Sequence, residues 1–104
     1  MRFVCVLTTA PRLASARKLA ALLIQKKLAA CVTLIPSVES HYVWKGKKQK
    51  SGEVQLLIKT SPANFKRIGI FFKKNHPYDV PELISFPVKQ ISAGYAKWLG
   101  ASVL

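Results

Sequence analysis

The chain has 104 residues, half of them hydrophobic, which is enough apolar side chain for one domain over residues 1–104 with a single core. Seventeen Lys and Arg residues against four Asp and Glu residues give a formal net charge of +13, which favours anionic partners such as nucleic acid or an acidic protein. No apolar run approaches the roughly 18 residues that a membrane-spanning helix needs, so we expect no membrane insertion.

The first half of the chain predicts a strand, a helix and a second, longer strand. Residues 3–9 are a continuous apolar and β-branched run, which is typical of a buried strand. After Pro11, apolar residues recur at helical spacing over residues 13–24 and predict an amphipathic helix. Residues 29–44 alternate with period two, and Pro36 within them indicates an edge strand or a bulge.

The second half of the chain predicts five further elements. Pro77 disfavours a helical residue before it, and Pro87 indicates another edge strand or bulge. The elements are a polar turn at 45–52, a third strand at 53–60 that forms a hairpin with the second, a helix that ends near Asn75, a fourth strand at 83–88 and a terminal helix at 91–104.

This order, β-α-β-β-α-β followed by a C-terminal helix, predicts an α+β fold of the ferredoxin-like type. In that arrangement two helices cover one face of a four-stranded antiparallel sheet. The hairpin strands are apolar, and residues 42–44 are Tyr-Val-Trp, so we expect the other face of the sheet to be buried by a further subunit.

The sequence carries no motif of a nucleotide-binding or hydrolytic enzyme. It contains no Gly-x-Gly-x-x-Gly, no P-loop and no Gly-x-Ser-x-Gly, and the spacing of Ser, His and Asp suggests no catalytic triad. We therefore expect no enzymatic activity. The start does not resemble a signal peptide, and Cys5 and Cys31 are too few for a disulfide framework, which together favour a cytoplasmic protein.

Six motifs, spread over almost the whole chain, carry a family resemblance. They are TTAP (8–11), KLAACV with LIP (27–36), YVWKGK (42–47), EV leading to IKT (53–60), HPYDVPE (76–82) and YAKWL (95–99). As a set and in this order they resemble the CutA family of divalent-cation tolerance proteins. The resemblance implies a ferredoxin-like protomer, a homotrimer, a role in tolerance of divalent cations such as Cu²⁺ or Zn²⁺, and no established catalysis.

The resemblance also implies a small pocket between subunits. Family members that hold copper use a cysteine at the end of the first strand and two adjacent histidines, and the matching residues here are Thr8, Asn75 and His76. Other members place acids at the hairpin turn, where this chain has Lys-Gln-Lys-Ser at 48–51. Imidazole, thiolate and carboxylate suit zinc or copper. The predicted metal ligands, with His76 as the best candidate, are His76, Cys31, Glu53 and Glu82.

The same residues have structural interpretations that stay open. His76 and Glu82 can satisfy backbone groups at a buried corner, and Cys31 can be a packed strand residue. His41, beside an aromatic residue in a strand, is predicted to lie at the surface. The aromatic residues predicted to line either the pocket or the trimer interface are Tyr42, Trp44, Tyr78 and Trp98.

The charge of +13 keeps a second function open, which is a basic trimer that binds nucleic acid or another polyanion nonspecifically. Ferredoxin-like folds bind RNA in RRM domains through aromatic residues on central strands. The third strand here, EVQLLIKT, has no aromatic residue, whereas Tyr42 and Trp44 lie in the neighbouring strand beside the lysine-rich turn. A third possibility is an adaptor that docks an acidic protein.

Overall fold

The structure, a computed structural model, describes residues 2–104 as one four-stranded antiparallel sheet and three helices. The strand order is β2-β3-β1-β4, so the two strands that enclose the first helix, β1 and β2, are not neighbours. This is the predicted ferredoxin-like arrangement. In chain order the elements are β1 (Val4–Ala10), α1 (Leu13–Gln25), β2 (Cys31–Trp44), β3 (Lys47–Thr60), α2 (Asn64–Asn75), β4 (Ile84–Pro87) and α3 (Ala93–Ser102).

The even-numbered residues of β1 and β3 form the sheet face that α1 and α2 cover. Val6, Leu56 and Ile58 are fully buried there, because successive side chains of a strand point to opposite faces. Leu19 of α1 and Ile68 of α2 close the same core from the helical side. Burial of each such side chain contributes about 1.5–3 kcal/mol, and this core fixes the helices on the sheet.

The opposite face of the sheet is apolar and partly open to solvent. Ile84 and Phe86 of β4 are 46% and 51% exposed, and they pair with Leu7 and Cys5 of β1 on that face. An exposed apolar face of this kind is typical of a surface that another chain covers. Our expectation of a covering subunit stays a prediction.

The β2–β3 hairpin extends well beyond the rest of the sheet. Strand β1 pairs with β3 only over residues 54–60, so residues 38–44 and 47–53 pair with each other alone. We call this projecting part, residues 38–53, the ribbon. At about 3.3 Å per residue it is roughly 23 Å long. A free two-stranded hairpin has marginal stability in water, so the ribbon depends on contacts near its base.

The hairpin turn is shorter than the sequence predicts. The polar residues 45–52 are not a loop, since only Lys45 and Gly46 form the turn and β3 begins at Lys47. Their φ angles of 51° and 78° are those of a type I′ turn, which matches the twist of the flanking strands. The prediction was wrong because residues 47–52 lack the apolar alternation by which a strand is recognised.

The predicted effects of proline on the chain are confirmed. The pairing of β2 with β3 shifts register between Ile35 and Val38, on either side of Pro36, and β4, which contains Pro87, pairs with β1 alone. Helix α2 ends at Asn75, as the proline at 77 predicts. None of the helices within residues 2–104 is long and apolar enough to span a membrane.

The turn gives a test of the ribbon's local stability. Asn adopts positive φ more easily than Lys, so Lys45→Asn should stabilise the protein by up to about 1 kcal/mol. Gly46→Ala should destabilise it by about 1–2 kcal/mol through backbone strain alone, because a Cβ at Gly46 meets no atom within 4 Å. The measurement is denaturant unfolding.

The matched control for the turn variants is Gly52→Ala. Gly52 lies in the same ribbon, has equally open space around its Cβ position, and is not among the residues with positive φ. This variant should leave the free energy of unfolding unchanged or slightly higher. Equal losses for Gly46→Ala and Gly52→Ala would contradict the type I′ assignment.

Candidate functional site: a carboxylate cleft beside a buried histidine

His76, directly after α2, is a residue of 9% exposure, and both nitrogens of its ring are in hydrogen bonds. Its Nδ1 accepts from the backbone N–H of Tyr78 at 3.1 Å. Its Nε2 lies 2.9 Å from the carbonyl oxygen of Thr9, and a carbonyl can only accept. The proton of the neutral ring is therefore on Nε2, and the hydroxyl of Thr8, 3.3 Å from the same nitrogen, lies beside this bond.

These hydrogen bonds give His76 a structural role in the protomer. A metal ion requires a free lone pair on a ring nitrogen, but the Nδ1 lone pair is occupied by the Tyr78 N–H and Nε2 carries its proton toward Thr9. The ring thus joins the end of α2 to the end of β1. Of the two interpretations of His76 that the sequence leaves open, this geometry favours the one in which it satisfies backbone groups at a buried corner.

Burial also keeps the ring of His76 neutral. Removal of the imidazolium from water lowers the pKa of His76 below its usual 6.5, and the Thr9 carbonyl and the Glu53 carboxylate offset only part of this effect. Protonation would place a second N–H donor at Nδ1, opposite the Tyr78 N–H. The neutral ring is therefore the form that is compatible with both hydrogen bonds, to Thr9 and from Tyr78.

Glu53 lies at the base of the ribbon and is only 8% exposed. Burial raises the pKa of Glu53, but the nearby hydroxyls of Ser40, Tyr78 and Thr9, together with the imidazole of His76 when it is protonated at low pH, outweigh burial and hold the pKa below its ordinary value. The Tyr78 hydroxyl donates to the carboxylate at 2.7 Å. The pKa of Tyr78 is raised by burial and by this carboxylate, so its hydroxyl remains a donor at neutral pH.

A cleft of about 850 Å³ separates the ribbon from the segment 78–82 that follows the histidine corner. The ribbon contributes aromatic side chains to one wall, and Tyr78 contributes a third aromatic ring from the other wall. Three of the four acidic residues of the chain also line it. The aromatic residues are Tyr42, Trp44 and Tyr78, and the carboxylates are Glu53, Asp79 and Glu82. A cleft with this lining attracts cations in a molecule that is otherwise strongly positive.

The structure does not bring all predicted metal ligands together. Cys31 pairs with Lys59, whereas Glu53 pairs with Val38, so the two predicted ligands are separated by six positions of β3 or about 20 Å. Within a single chain, Cys31 therefore does not belong to the cleft. Its thiol instead lies 3.9 Å from the ammonium group of Lys59, on the open face of the sheet.

Other predicted positions have local roles. Trp98 lies on α3, 5.4 Å from the ring of Tyr95, and does not line the cleft. The side chain of Asn75 donates to the carbonyl of Phe71 within α2. His41 is exposed on the ribbon beside Glu39, as the sequence predicts. Over residues 2–104, no three or more His, Cys, Asp or Glu side chains converge closely enough to hold a metal ion.

Sequence reasoning missed two contributors to this site. Asp79 has the pattern of a turn residue, although it lies between Tyr78 and Glu82 in the same short motif and lines the same cleft. The backbone carbonyl of Thr9 fixes the histidine tautomer from 67 positions away along the chain. The first residue could have been found from its neighbours in the motif, but no sequence signal marks a backbone carbonyl.

The hydrogen bond between Tyr78 and Glu53 predicts the effect of Tyr78→Phe. Loss of a donor to a buried carboxylate should lower the free energy of unfolding by about 1.5–3 kcal/mol at pH 7. The difference from wild type should shrink as the pH falls below about 4.5, because protonation removes the charge that the bond stabilises.

The control for this variant is Tyr42→Phe, which deletes a hydroxyl of the same type from an exposed hydrogen bond to Ser51. We expect it to cost only about 0.5 kcal/mol or less. Denaturant unfolding at several pH values measures both variants. Equal losses of unfolding free energy in the two variants would mean that the hydrogen bond to Glu53 contributes no more than an exposed hydrogen bond does.

The lowered pKa of His76 predicts a pH dependence of stability. The unfolded chain takes up a proton near pH 6.5, before the folded chain does, so the free energy of unfolding should fall as the pH drops from about 7 toward 5. His76→Gln should make the free energy of unfolding nearly independent of pH over this range. His41→Gln, at an exposed position, should leave the pH dependence unchanged. Higher stability at pH 5 than at pH 7 would contradict the buried neutral ring.

Comparison with known proteins identifies the family of the chain. The family model described as CutA1 divalent ion tolerance protein matches residues 4–102. The divalent-cation tolerance protein CutA of Yersinia pestis (strain Pestoides F) is 46% identical over 101 residues, which are 97% of this chain and 85% of that protein. The structure of CutA1 from Oryza sativa superposes with a TM-score of 0.97 at 38% identity, covering 100% of this chain and 95% of that one. CutA1 from Thermus thermophilus gives 0.94 at 35% identity, with 97% and 98% covered. The chain belongs to the CutA1 divalent ion tolerance family.

Proposed function

We propose that this protein contributes to divalent-cation tolerance as a cation-binding homotrimer without catalytic activity. Its relatives are described as divalent-cation tolerance proteins, which supports the role in tolerance. The observation that carries the binding proposal is the cleft, which gathers three of only four acidic residues in a chain of net charge +13. Such a concentration of carboxylates provides a local site for cations in a molecule that otherwise repels them.

The carboxylates, and not the imidazole, are the proposed ligands. Glu53 is ionised at neutral pH because its pKa is held low, and Asp79 and Glu82 are exposed toward the cleft. Both ring nitrogens of His76 are already in hydrogen bonds. Carboxylate oxygens bind Zn²⁺ and other divalent ions, whereas Cu²⁺ has a stronger preference for imidazole. We therefore expect the preference for Cu²⁺ over Zn²⁺ to be smaller at this cleft than at a site built from imidazole ligands.

The homotrimer is supported by two features of the protomer. The open sheet face exposes Ile35, Ile84 and Phe86, which are apolar and lie at or near the two edge strands. Over residues 38–53 the ribbon pairs with no further strand on either side, and it would gain stability from packing on another copy. Because no complete metal site forms within residues 2–104, a ligand from a second protomer would complete the cleft.

We also propose that the protein is cytoplasmic. Cys5 and Cys31 are both free thiols in the structure. Free cysteines that are partly accessible are compatible with a reducing compartment.

Titration calorimetry of metal-stripped protein with Zn²⁺ and Cu²⁺ tests the cation site. Glu82→Gln and Asp79→Asn should each weaken binding by roughly tenfold, an amount that corresponds to about 1.4 kcal/mol for one lost charged ligand. The matched control is Glu39→Gln, because Glu39 is the one acidic residue outside the cleft and pairs instead with Lys50 and His41. It should bind metal as wild type does.

The same titration separates the two interpretations of His76. We expect His76→Gln to lose stability but to keep its metal affinity within about threefold of wild type, since the ring is not a proposed ligand and the Gln amide can still donate to the Thr9 carbonyl that helps to hold the cleft in place. Light scattering on each sample gives the oligomeric state. Loss of binding in His76→Gln with an intact trimer would show that the histidine is a ligand, and equal loss in Glu39→Gln would show that the effect is only one of net charge.

A further inference from the structure

We propose that the carboxylate cleft also binds an organic ammonium ion, that is, a positively charged nitrogen that carries apolar substituents. The inference rests on the cation-attracting cleft of the proposed function and adds a second class of ligand to it. The charged nitrogen lies among the carboxylates, and the apolar substituents lie against the aromatic rings of the ribbon. The metal-ion proposal leaves these rings without a role.

The cleft is larger than a metal ion requires. Its volume of about 850 Å³ falls within the range of small-molecule sites, about 300–1,000 Å³. Within residues 2–104, no three His, Cys, Asp or Glu side chains converge closely enough to hold a metal ion. Carboxylates that are spread around a wide cleft suit a bulky cation, whose charge is distributed over a large group, better than they suit a bare metal ion.

The lining of the cleft selects for positive charge. Glu53, Asp79 and Glu82 line it, whereas no Lys or Arg of the described residues 2–104 does, although the chain has seventeen. His41 also lines the cleft, but its ring lies 3.1 Å from the carboxylate of Glu39. At physiological salt, charges more than about 8 Å away are largely screened. The nearby carboxylates therefore decide which ions enter, and the net charge of +13 does not.

Three aromatic rings give the cleft the kind of wall that binds organic cations. Tyr42 and Trp44 are two positions apart on β2, so their side chains leave the same side of the ribbon about 6.6 Å apart. Tyr78 contributes a ring from the other wall and donates its hydroxyl to Glu53, so that a ring and a carboxylate adjoin there. The face of an aromatic ring attracts a cation, and quaternary ammonium ligands are recognised in this way.

The charges along the ribbon determine the orientation of the ligand. Lys47 pairs with Trp44 and shares its face at the tip (residues 44–48), whereas Glu53 lies six positions of β2 away, or about 20 Å, at the base. A positive nitrogen is therefore favoured near the carboxylates and repelled from the tip. The apolar substituents then extend along the ribbon toward Trp44. A ligand with one charged end and an apolar body suits this arrangement better than a chain with a charge at each end.

This ligand is compatible with the proposed homotrimer. It contacts the two walls that one chain supplies, which are the ribbon and the segment 78–82. A second copy that packs on the ribbon would close the cleft from outside and remove more of the apolar body from water. A second copy whose side chains filled the cleft would leave no room for the ligand, so the test uses the intact assembly.

The test is titration calorimetry of the metal-stripped, intact protein with three organic ions that differ in charge and in body. Hexyltrimethylammonium has both proposed features, tetramethylammonium lacks the apolar body, and hexanoate has the opposite charge. We expect hexyltrimethylammonium to bind more tightly than tetramethylammonium by roughly tenfold or more, at about fourfold for each methylene that the rings remove from water. Hexanoate should not bind, because the carboxylates of the cleft repel it.

A matched pair of double variants tests the role of the rings. Tyr42→Gln with Trp44→Gln removes both rings of the ribbon, and Tyr95→Gln with Trp98→Gln removes a Tyr and a Trp from α3, outside the cleft. The two Tyr residues are 44% and 41% exposed, and both Trp residues are 48% exposed. The first variant should bind hexyltrimethylammonium roughly tenfold more weakly than wild type, and the second should stay within about twofold. Light scattering verifies that each variant keeps its assembly.

Three results would overturn the proposal. The first is absence of hexyltrimethylammonium binding by the intact wild-type assembly up to about 5 mM. The second is equal affinity of wild type for hexyltrimethylammonium and for either tetramethylammonium or hexanoate, which would show that the cleft does not recognise a cation with an apolar body. The third is an equal loss of affinity in two double variants that both keep their assembly, which would show that the rings of the cleft have no specific role.

Titration of the same samples with Zn²⁺ distinguishes this inference from the proposed function. Binding of Zn²⁺ without binding of hexyltrimethylammonium would end this inference alone, and the reverse result would end only the metal-ion proposal. In the variant that lacks both rings of the ribbon, the affinity for Zn²⁺ should fall less than the affinity for hexyltrimethylammonium, because the proposed metal ligands are carboxylates.

Discussion

The neutral ring of His76 is the connection on which the geometry of the cleft depends. Through Nε2 it holds the carbonyl of Thr9 at the end of β1, and through Nδ1 it holds the backbone of Tyr78. Tyr78 is thereby placed so that its hydroxyl reaches Glu53 at the base of the ribbon. A buried carboxylate without such donors would be costly. One imidazole thus joins the end of a helix, the end of a central strand and the base of the ribbon.

The distribution of charge divides the ribbon into two regions. Its base, with Glu53, belongs to a cleft in which carboxylates and aromatic rings combine. Its tip carries lysines that no acidic residue within 2–104 compensates, apart from the pair between Lys50 and Glu39 just below it. With only four acidic residues in the chain, placing three of them in one cleft leaves almost all of the remaining surface positive. The cleft is therefore the part of the molecule that attracts cations.

The sequence predicts the fold far better than it predicts the site. Hydrophobic periodicity marks the strands and helices, and Pro36, Pro77 and Pro87 mark irregularities and ends, because these signals are local. The sequence does not predict the length of the ribbon. Residues 47–52, which extend β3, contain no apolar residue and so lack the alternation of apolar and polar side chains that marks a strand. Cys31 and Glu53 lie about 20 Å apart within one chain, because adjacency of two strands does not define their register. Their joint role at a cleft between protomers stays a prediction. The tautomer of His76 depends on a distant backbone carbonyl, which no side-chain pattern reveals.

The most direct test of this account is the ¹⁵N chemical shifts of the His76 ring at neutral pH, measured by long-range ¹H–¹⁵N correlation before and after addition of Zn²⁺. The account predicts a neutral ring with its proton on Nε2, and shifts that do not change when Zn²⁺ binds, because both nitrogens are committed to Thr9 and Tyr78. A proton on Nδ1 would contradict the hydrogen bonds to Thr9 and Tyr78, and a large shift of either nitrogen on addition of Zn²⁺ would identify His76 as a metal ligand.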